Sequence, residues 1–232
     1  MSKVAFITGT TRGIGLELTK ILLPKKYHVI ATGRETKKSK GLSSLKSDYP
    51  NALTLIDLDV TDDEEISNLK SKLQGMQQID LLINNAGIFA ADDNQILEKI
   101  DSESTLKTFM VNTMGPLKVT QTLLPYLKKS KTPLVVNITS QMGSIDDNKM
   151  GRYYGYRMSK SALNMMTKSF SVDYPDIISI VMHPGWVQTD MGGKQAPVSP
   201  QDSAKGIVAV IENLKRKDSG KFYDFRGETL PW

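Results

Sequence analysis

The sequence contains no cysteine and only two histidines, His28 and His183, which lie far apart in the chain. The absence of cysteine excludes disulfide bonds, a cysteine nucleophile and thiolate metal ligands. Two distant histidines do not make the ligand set of a structural zinc site, so we expect no metal. A chain free of cysteine is also compatible with a reducing compartment, and we expect a cytoplasmic protein.

Long hydrophobic runs are absent as well. No apolar stretch is long enough to span a bilayer, and a strand-like segment already begins at Lys3, so we expect neither a membrane span nor a signal peptide. Hydrophobic residues make up 39% and charged residues 24% of the chain, which is typical of a globular protein. A length of 232 residues predicts one domain, covering residues 1–232, with a sizeable core.

The net charge of +5 does not come with the pattern of a nucleic-acid-binding protein. Basic residues cluster at 37–40, 128–131 and 215–217, each in a predicted loop or at a predicted helix end. Cations at helix C-termini complement the helix dipole, whereas a nucleic-acid surface would interleave them with aromatic residues on one face. We therefore expect solvated faces and no nucleic-acid partner.

Strand and helix signals alternate from end to end, which predicts an α/β fold with a doubly wound parallel sheet and helices on both faces. Ligands of such sheets bind outside the carboxyl ends of the strands. A capping box at Thr61–Glu64 and an N-cap at Ser199 before Pro200 mark two helix starts. The predicted strands are Lys3–Thr8, His28–Thr32, Leu53–Asp57, Leu81–Asn84, Leu134–Thr139, Ser179–His183 and a segment near Phe222–Asp224.

A glycine-rich turn follows the first strand and precedes an amphipathic helix. Gly9, Gly13 and Gly15 are spaced Gly-x-x-x-Gly-x-Gly. Glycines at this point let the backbone approach a phosphate, and the helix N-terminus supplies free N–H groups and the positive end of the dipole. The position of the turn between a strand and a helix therefore indicates a phosphate-binding site.

Tyr156 and Lys160 lie four residues apart, a spacing that puts both side chains on one face of a helix. An ammonium group beside a phenol favours the phenolate and lowers the phenol pKa from about 10 toward neutrality. Such a tyrosine can donate or accept a proton at working pH. The alternative is an ordinary solvated pair. Tyr153 and Tyr154 lie nearby, but neither has a lysine four residues later.

These motifs resemble, in order and over essentially the whole chain, those of the short-chain dehydrogenase/reductase family, whose fold is the Rossmann fold. The resemblance implies a catalytic set formed by Asn112, Ser140, Tyr156 and Lys160. It implies cofactor contacts at Gly9, Thr11, Arg12, Gly13, Ile14, Gly15, Arg34, Asp59, Val60, Asn85, Ala86, Gly87, Tyr156, Lys160, Pro184, Gly185, Val187 and Thr189. Substrate contacts are expected at Ser140, Tyr156 and Trp186. Residues 156–164, 183–187 and 220–232 are further similar to C-factor and sniffer-type carbonyl reductases.

The second strand ends without the acidic residue that would bind a free adenosine ribose. Arg34 stands there instead, and Arg12 lies in the glycine-rich turn. Two guanidinium groups near the ribose suit a 2′-phosphate, so we predict NADP(H) as the cofactor. The alternative is that one arginine covers the adenine face or points to solvent.

Some residue assignments stay open at this point. Asp57 competes with Asp59 for the adenine contact, because either carboxylate can cap a turn. Ser144 competes with Ser140, because the gap from Ser140 to Tyr156 is about three residues longer than is common in the family. Asn112 is either a member of a proton relay that continues from Lys160 or an ordinary surface residue.

The combined prediction is reduction of a carbonyl by NADPH, with Tyr156 as the proton donor. A non-catalytic NADP(H)-binding signalling protein is the alternative. The long apolar helices predicted around Asn112–Leu127 and Tyr153–Val172 have family counterparts that pair across a two-fold axis, so we also predict a homodimer. The short segment 190–198, with two adjacent glycines and a proline, predicts an irregular loop beside Trp186 and not a lid helix.

Overall fold

The computed structural model describes residues 2–90 and 96–232. The strands are β1 (Val4–Ile7), β2 (His28–Gly33), β3 (Leu53–Asp57), β4 (Leu81–Asn84), β5 (Leu134–Ile138), β6 (Ile178–His183) and β7 (Phe222–Asp224). The helices are α1 (Gly13–Leu22), α2 (Lys40–Asp48), α3 (Asp63–Ser67), α4 (Leu69–Lys72), α5 (Ser102–Phe109), α6 (Gly115–Leu127), α7 (Tyr154–Asp173) and α8 (Pro200–Asn213), with a π-helical turn at Met110–Met114 between α5 and α6.

The seven strands form one sheet in the order β3-β2-β1-β4-β5-β6-β7, and every neighbouring pair is parallel. The order reverses between β1 and β4, because the chain adds strands first on one side of β1 and then on the other. This is the doubly wound arrangement that the alternation of signals predicts, and the prediction is confirmed. The predicted strand positions agree with the observed ones to within one residue at each end.

Successive strand side chains point to opposite faces of the sheet and enter two separate cores. On β1, Ala5 and Ile7 belong to a core that includes Leu18 of α1 and Ile207 of α8. Phe6, between them in sequence, belongs to a second core under α4 and α6. Both faces of the sheet are therefore covered by helices, which explains why the strands read as continuous apolar runs.

The two predicted helix starts have different outcomes. The Ser199 hydroxyl oxygen accepts a hydrogen bond from the N–H of Asp202 at 3.0 Å, so the predicted cap of α8 is confirmed. The capping box at Thr61 is wrong, because Asp62 caps α3 by accepting from the N–H groups of Glu64 and Glu65. The Thr61 hydroxyl donates to Asp59 at 2.7 Å, and among the described residues it accepts no hydrogen bond from the N–H groups of α3.

None of the helices in the described ranges has the length and apolar content to cross a membrane.

Candidate active site

A cleft of about 680 Å³ opens at the carboxyl ends of the strands, where the strand order reverses. This is where open α/β sheets bind their ligands, and the volume lies within the range of small-molecule sites. Predicted site residues that line the cleft are Gly9, Thr11, Arg12, Gly13, Ile14, Arg34, Asp59, Val60, Asn85, Ala86, Gly87, Tyr156, Lys160, Pro184 and Thr189.

The glycine-rich turn needs its glycines for two distinct reasons. Gly9 and Gly13 have φ values of +70° and +57°, in the left-handed region that favours glycine. Gly15 has no space for a side chain, because a Cβ there would lie 2.3 Å from the carbonyl oxygen of Gly9. The turn therefore folds tightly on itself and brings bare backbone to the cleft at the start of α1. Within the described residues, no side chain caps this helix N-terminus.

Asn85 fixes the glycine-rich turn to the end of β4. Its Nδ2 donates to the carbonyl oxygens of Thr8 and Gly9, at 2.9 and 3.0 Å. The Thr8 hydroxyl oxygen in turn accepts from the N–H groups of Asn85 and Ala86, both at 3.0 Å. The neighbouring Asn84 is buried and donates instead to Thr120 and Asn137 inside the core. The two asparagines thus differ, and only Asn85 reaches the cleft.

The two arginines predicted to contact a phosphate both line the cleft. Arg12 is also half of an ion pair, since its Nε lies 2.8 Å from Oδ2 of Asp190. Asp190 follows Thr189 after β6 and lines the cleft as well. The sequence offers no signal for this pair, because the two residues come from distant segments.

The two candidate carboxylates for the adenine contact, Asp57 and Asp59, differ in their hydrogen-bond partners. Asp57 accepts from the N–H and hydroxyl of Thr36, at 2.8 and 2.6 Å, and these bonds hold the pKa of Asp57 below its usual range. Asp59 lines the cleft and caps its own turn by accepting from Thr61. Burial works to raise the pKa of Asp59, but the Thr61 hydrogen bonds and the charge of Arg34 outweigh it and leave the pKa lowered.

Lys160 and Tyr156 lie one helical turn apart on α7, and both line the cleft. The Lys160 Nζ lies 5.7 Å from the centre of the Tyr156 ring and donates to the carbonyl oxygen of Ile138 at 2.9 Å. Lys160 is only 4% exposed, and this desolvation lowers its pKa to about 8. Tyr156 is also buried, with the Phe89 ring packed edge-on at 4.9 Å. The alternative of a solvated pair is wrong.

Asn112 lies in the π-helical turn and is fully buried, so a surface position is excluded. Its Oδ1 accepts from the N–H of Ile88 at 2.8 Å, and its Nδ2 donates to the Ile88 carbonyl at 2.9 Å and to the Ser159 hydroxyl at 3.1 Å. A Cβ on Gly87 would lie 3.3 Å from Asn112 Oδ1 and 3.6 Å from Lys160 Nζ. Asn112 therefore joins the segment after β4 to α7, close to Lys160. A π-helical turn is frequent at functional sites.

Ser140 and Ser144 have different surroundings. Ser140 follows Thr139, which lines the cleft, and its Oγ accepts from the N–H of Met142 at 3.1 Å. Among the described residues, its hydroxyl proton has no hydrogen-bond acceptor. Ser144 is more deeply buried; its hydroxyl donates to the Trp232 carbonyl and accepts from the N–H of Asp147, both at 3.1 Å. The Ser144 hydroxyl thus acts as both donor and acceptor and bonds to the backbone of Trp232 and Asp147.

The turn after β6, which lines the cleft at Pro184, is fixed by close contacts. Gly185 has a φ of +87°, and a Cβ there would lie 2.9 Å from the Phe225 ring. Trp186 is 53% exposed, and its Nε1 donates to the carbonyl oxygen of Gly192 at 2.8 Å. The segment 190–198 contains no helix, as predicted, but a bridge between Val187 and Val198 closes it into a compact loop.

Within residues 2–90 and 96–232, six predicted site residues do not line the cleft. They are Gly15, Asn112, Ser140, Gly185, Trp186 and Val187. Sequence reasoning missed several residues that do line it. Gln188, Asp190 and Met191 flank the predicted Thr189, so their position after β6 was a usable signal. Lys107 comes from α5, where no sequence pattern pointed to the site, and Met110 lies two residues before the predicted Asn112.

The chain is similar in sequence to a known relative and in structure to two carbonyl reductases. The C-signal protein of Myxococcus xanthus is 43% identical over 156 residues, which cover 66% of this chain and 93% of that protein. The carbonyl reductase Sniffer of D. melanogaster superposes with a TM-score of 0.95 at 35% identity, with all of both chains covered. An NADPH-bound carbonyl reductase from chicken fatty liver superposes with a TM-score of 0.90 at 34% identity, covering 100% of this chain and 99% of that one.

The family model described as short chain dehydrogenase matches residues 3–198, which include the glycine-rich turn, the Asn85 segment, Tyr156 with Lys160, and the turn after β6. The chain therefore belongs to the short-chain dehydrogenase family.

Proposed function

We propose that the protein is an NADPH-dependent oxidoreductase that reduces an aldehyde, ketone or diketone to the alcohol. The observation that carries the proposal is the buried pair of Lys160 and Tyr156 in the same cleft as the glycine-rich turn. A buried ammonium group destabilises the folded protein. Its position beside the Tyr156 phenol therefore indicates a role in proton transfer.

The residues present fit a dinucleotide with a 2′-phosphate. The bare backbone of the glycine-rich turn and the free N–H groups at the start of α1 suit the pyrophosphate. Arg12 and Arg34 supply two cations, and β2 ends without a carboxylate that would repel a phosphate. The chicken carbonyl reductase, similar over the whole chain, is described as bound to NADPH.

Bound NADPH supplies the hydride that reaches the carbonyl carbon. Tyr156 donates its phenolic proton to the carbonyl oxygen, so that carbon gains the hydride and oxygen the proton. Ser140 donates its hydroxyl hydrogen bond to the same oxygen and stabilises the negative charge that develops there. Lys160 holds a positive charge beside Tyr156, which favours loss of the phenolic proton. Asn112 holds the backbone of Ile88 against α7 and thereby keeps the Lys160 side of the site in place.

The test is a spectrophotometric assay of NADPH oxidation with the purified protein against a panel of aldehydes, ketones and diketones. We expect substrate-dependent loss of NADPH absorbance, with the corresponding alcohol identified by mass spectrometry. Parallel assays with NADH give the cofactor preference. A protein that binds NADPH but turns over no member of the panel contradicts the proposal.

A second candidate is a signalling protein that binds NADP(H) without catalysis, which the name of the Myxococcus xanthus relative suggests. A pure binder has no use for a tyrosine hydroxyl beside a desolvated lysine. The presence of Tyr156, Lys160 and Asn112 as buried residues around one site therefore favours the enzyme. The same assay separates the two candidates, since the binder gives NADPH affinity without turnover.

The proposal includes a homodimer formed through α7 and the α5–α6 region. Met158, Met165 and Val172 are spaced seven residues apart on α7 and are 50%, 67% and 67% exposed. Leu106 of α5 and Leu117 of α6 are exposed as well. Apolar side chains repeated along one face of a helix indicate a surface that packs against another chain.

A further inference from the structure

Arg157 occupies a position where a cation is electrostatically disfavoured. It lies in the first turn of α7, directly after Tyr156, and that turn contains no acidic residue. The N-terminal end of a helix carries a partial positive charge, so an arginine there costs free energy unless it has strong partners elsewhere. A residue that breaks a local rule in this way is expected at a functional or strained site.

The hydrogen-bond partners of Arg157 are two backbone carbonyls, one in the turn after Ser140 and one in the segment that leads into α7, and the Asp147 carboxylate adds an opposite charge nearby. The Arg157 Nε donates to the carbonyl oxygen of Gly151, and its NH1 donates to that of Met142, both at 3.2 Å. Met142 is the residue whose N–H donates to the Ser140 hydroxyl oxygen at 3.1 Å. Hydrogen bonds thus connect Ser140, through Met142 and Arg157, to the helix turn that carries Tyr156.

The segment that leads into α7 is strained and needs to be held. Gly151, Arg152 and Tyr153 have consecutive positive φ values of +69°, +56° and +54°. Only glycine adopts this region at low cost, so the conformation of Arg152 and Tyr153 persists because the surroundings enforce it. Arg157 contacts both ends of the segment, since its side chain binds the Gly151 carbonyl and its N–H donates to the Tyr153 carbonyl at 2.8 Å.

Two further side chains of α7 hold the same turn after Ser140. The Ser161 hydroxyl and the Asn164 Nδ2 both donate to the carbonyl oxygen of Gly143, at 2.9 and 3.2 Å. Residues 157, 161 and 164 lie on one face of the helix. The turn Gln141–Gly143 is therefore docked on α7 at three points, and Arg157 is the one nearest to Tyr156.

We propose that Arg157 is a positioning residue that fixes the distance between the Ser140 hydroxyl and the Tyr156 hydroxyl. Arginine suits this task because its planar fork donates in two directions at fixed angles, which lysine does not. The inference rests on the proposed function, in which both hydroxyls act on one carbonyl oxygen. It assigns to Arg157 no contact with substrate or cofactor.

The experiment compares Arg157→Met and Arg157→Lys with Arg216→Met, a control at an exposed arginine that pairs with Asp176 on the surface. For Arg157→Met we expect kcat to fall by about tenfold to a hundredfold, because small misplacements of reacting groups cost rates of this order. The Kd for NADPH is expected to stay within about twofold, since the glycine-rich turn and Arg34 are untouched. Arg157→Lys should recover part of kcat, and the control should match the wild type.

A merely structural role would lower the thermal midpoint and leave kcat unchanged at temperatures well below it. Unchanged kcat in Arg157→Met, or equal loss of kcat and NADPH affinity, overturns the inference. If Arg157→Met does not fold, Arg157→Lys decides: wild-type kcat overturns the inference, and reduced kcat with unchanged NADPH affinity supports it.

Hydrogen–deuterium exchange of the cofactor-free proteins separates this inference from the proposed function. We expect faster exchange at residues 141–144 and 151–157 in the Arg157 variants and unchanged exchange there in Arg216→Met. A wild-type protein that reduces no carbonyl would contradict the proposed function alone. Unchanged exchange in the Arg157 variants would contradict the docking role of Arg157, whether or not the protein is an active reductase.

Discussion

Arg12 and Asp190 form an ion pair, with 2.8 Å between Nε and Oδ2, that joins the glycine-rich turn to the segment after β6 at the rim of the cleft. Both side chains are largely exposed, at 71% and 78%. Exposed pairs of this kind contribute only about 0.2–1 kcal/mol, so the pair opens readily. We therefore expect the pair to affect cofactor binding more than stability, because Asp190 changes the charge that Arg12 presents to a cofactor phosphate.

Replacing Asp190 by asparagine should strengthen NADPH binding. The carboxylate offsets part of the positive potential of Arg12, and asparagine keeps the shape while removing the charge. We expect the NADPH Kd to fall by up to about fivefold, in line with an exposed pair, with a smaller change for NADH. Fluorescence titrations of both cofactors measure this. Asp176→Asn, which breaks the similarly exposed pair with Arg216, is the matched control. Weaker NADPH binding in Asp190→Asn would show that Asp190 orients Arg12 instead.

Arg34→Asp should reduce the preference for NADPH over NADH. A carboxylate at the end of β2 repels a 2′-phosphate and accepts hydrogen bonds from a free ribose. Loss of a charged hydrogen bond costs about 2 kcal/mol, so NADPH efficiency should drop by tenfold or more while NADH is affected less. The measurement is kcat/KM with both cofactors, and Arg216→Asp controls for the change in net charge. Equal wild-type efficiency with NADPH and NADH would defeat the assignment.

Tyr156→Phe should remove the proton donor and leave the rest of the site intact. A general acid contributes about a hundredfold to ten-thousandfold in rate, so we expect turnover to fall by at least that lower factor. Circular dichroism and the NADPH Kd should not change, because the ring still packs against Phe89. Tyr154→Phe, at an exposed tyrosine on the same helix turn, should retain full activity. Wild-type turnover in Tyr156→Phe would exclude Tyr156 as the acid.

Contiguous patterns of the sequence predict most of the fold. The strand signals find β3 and β4 at their observed bounds, because each is a short, mainly apolar run that ends at a polar residue, Asp57 or Asn84. The glycine spacing likewise predicts a tight turn, and Gly9 and Gly13 adopt the left-handed conformation that it requires.

Long-range contacts were not predictable. The pairing of Arg12 with Asp190 depends on how two distant loops pack, and the periodicity around Asn112 does not distinguish an α-helix from a π-helical turn. Thr61 and Asp62 both carry an oxygen that can cap a helix. In the structure the Thr61 hydroxyl bonds to Asp59, and Asp62 accepts from the N–H groups of Glu64 and Glu65. Such competition between equivalent local partners is decided by tertiary structure.

The depressed pKa of Lys160 should make stability depend on pH in a defined window. Burial lowers the pKa to about 8 in the folded protein, whereas an unfolded lysine titrates near 10.4. Between these values the unfolded chain binds more protons, so the free energy of unfolding rises with pH. We expect this rise to be up to about 3 kcal/mol in wild type relative to Lys160→Met. Urea denaturation of both cofactor-free proteins across this window measures it, and parallel pH curves would contradict the prediction.

Met165→Lys should convert the proposed homodimer into a monomer. Met165 lies in the middle of the exposed stripe on α7, between Met158 and Val172, so a dimer formed through this helix would bury it. An unpaired ammonium group in such an interface costs several kcal/mol, whereas the same charge on a free surface costs little. Light scattering at micromolar concentration should give twice the chain mass for wild type and a single chain mass for the variant.

The matched control is Ser47→Lys, which adds the same charge at an exposed position on α2 and should leave the dimer intact. The thermal midpoint of Met165→Lys serves as a check on the monomer fold, since the position is 67% exposed in the single chain and the substitution removes no core contact. A wild-type protein that is monomeric at this concentration would contradict the homodimer. A Met165→Lys variant that remains dimeric would show that the two chains meet through a different surface, because an interface centred on α7 could not tolerate the buried charge.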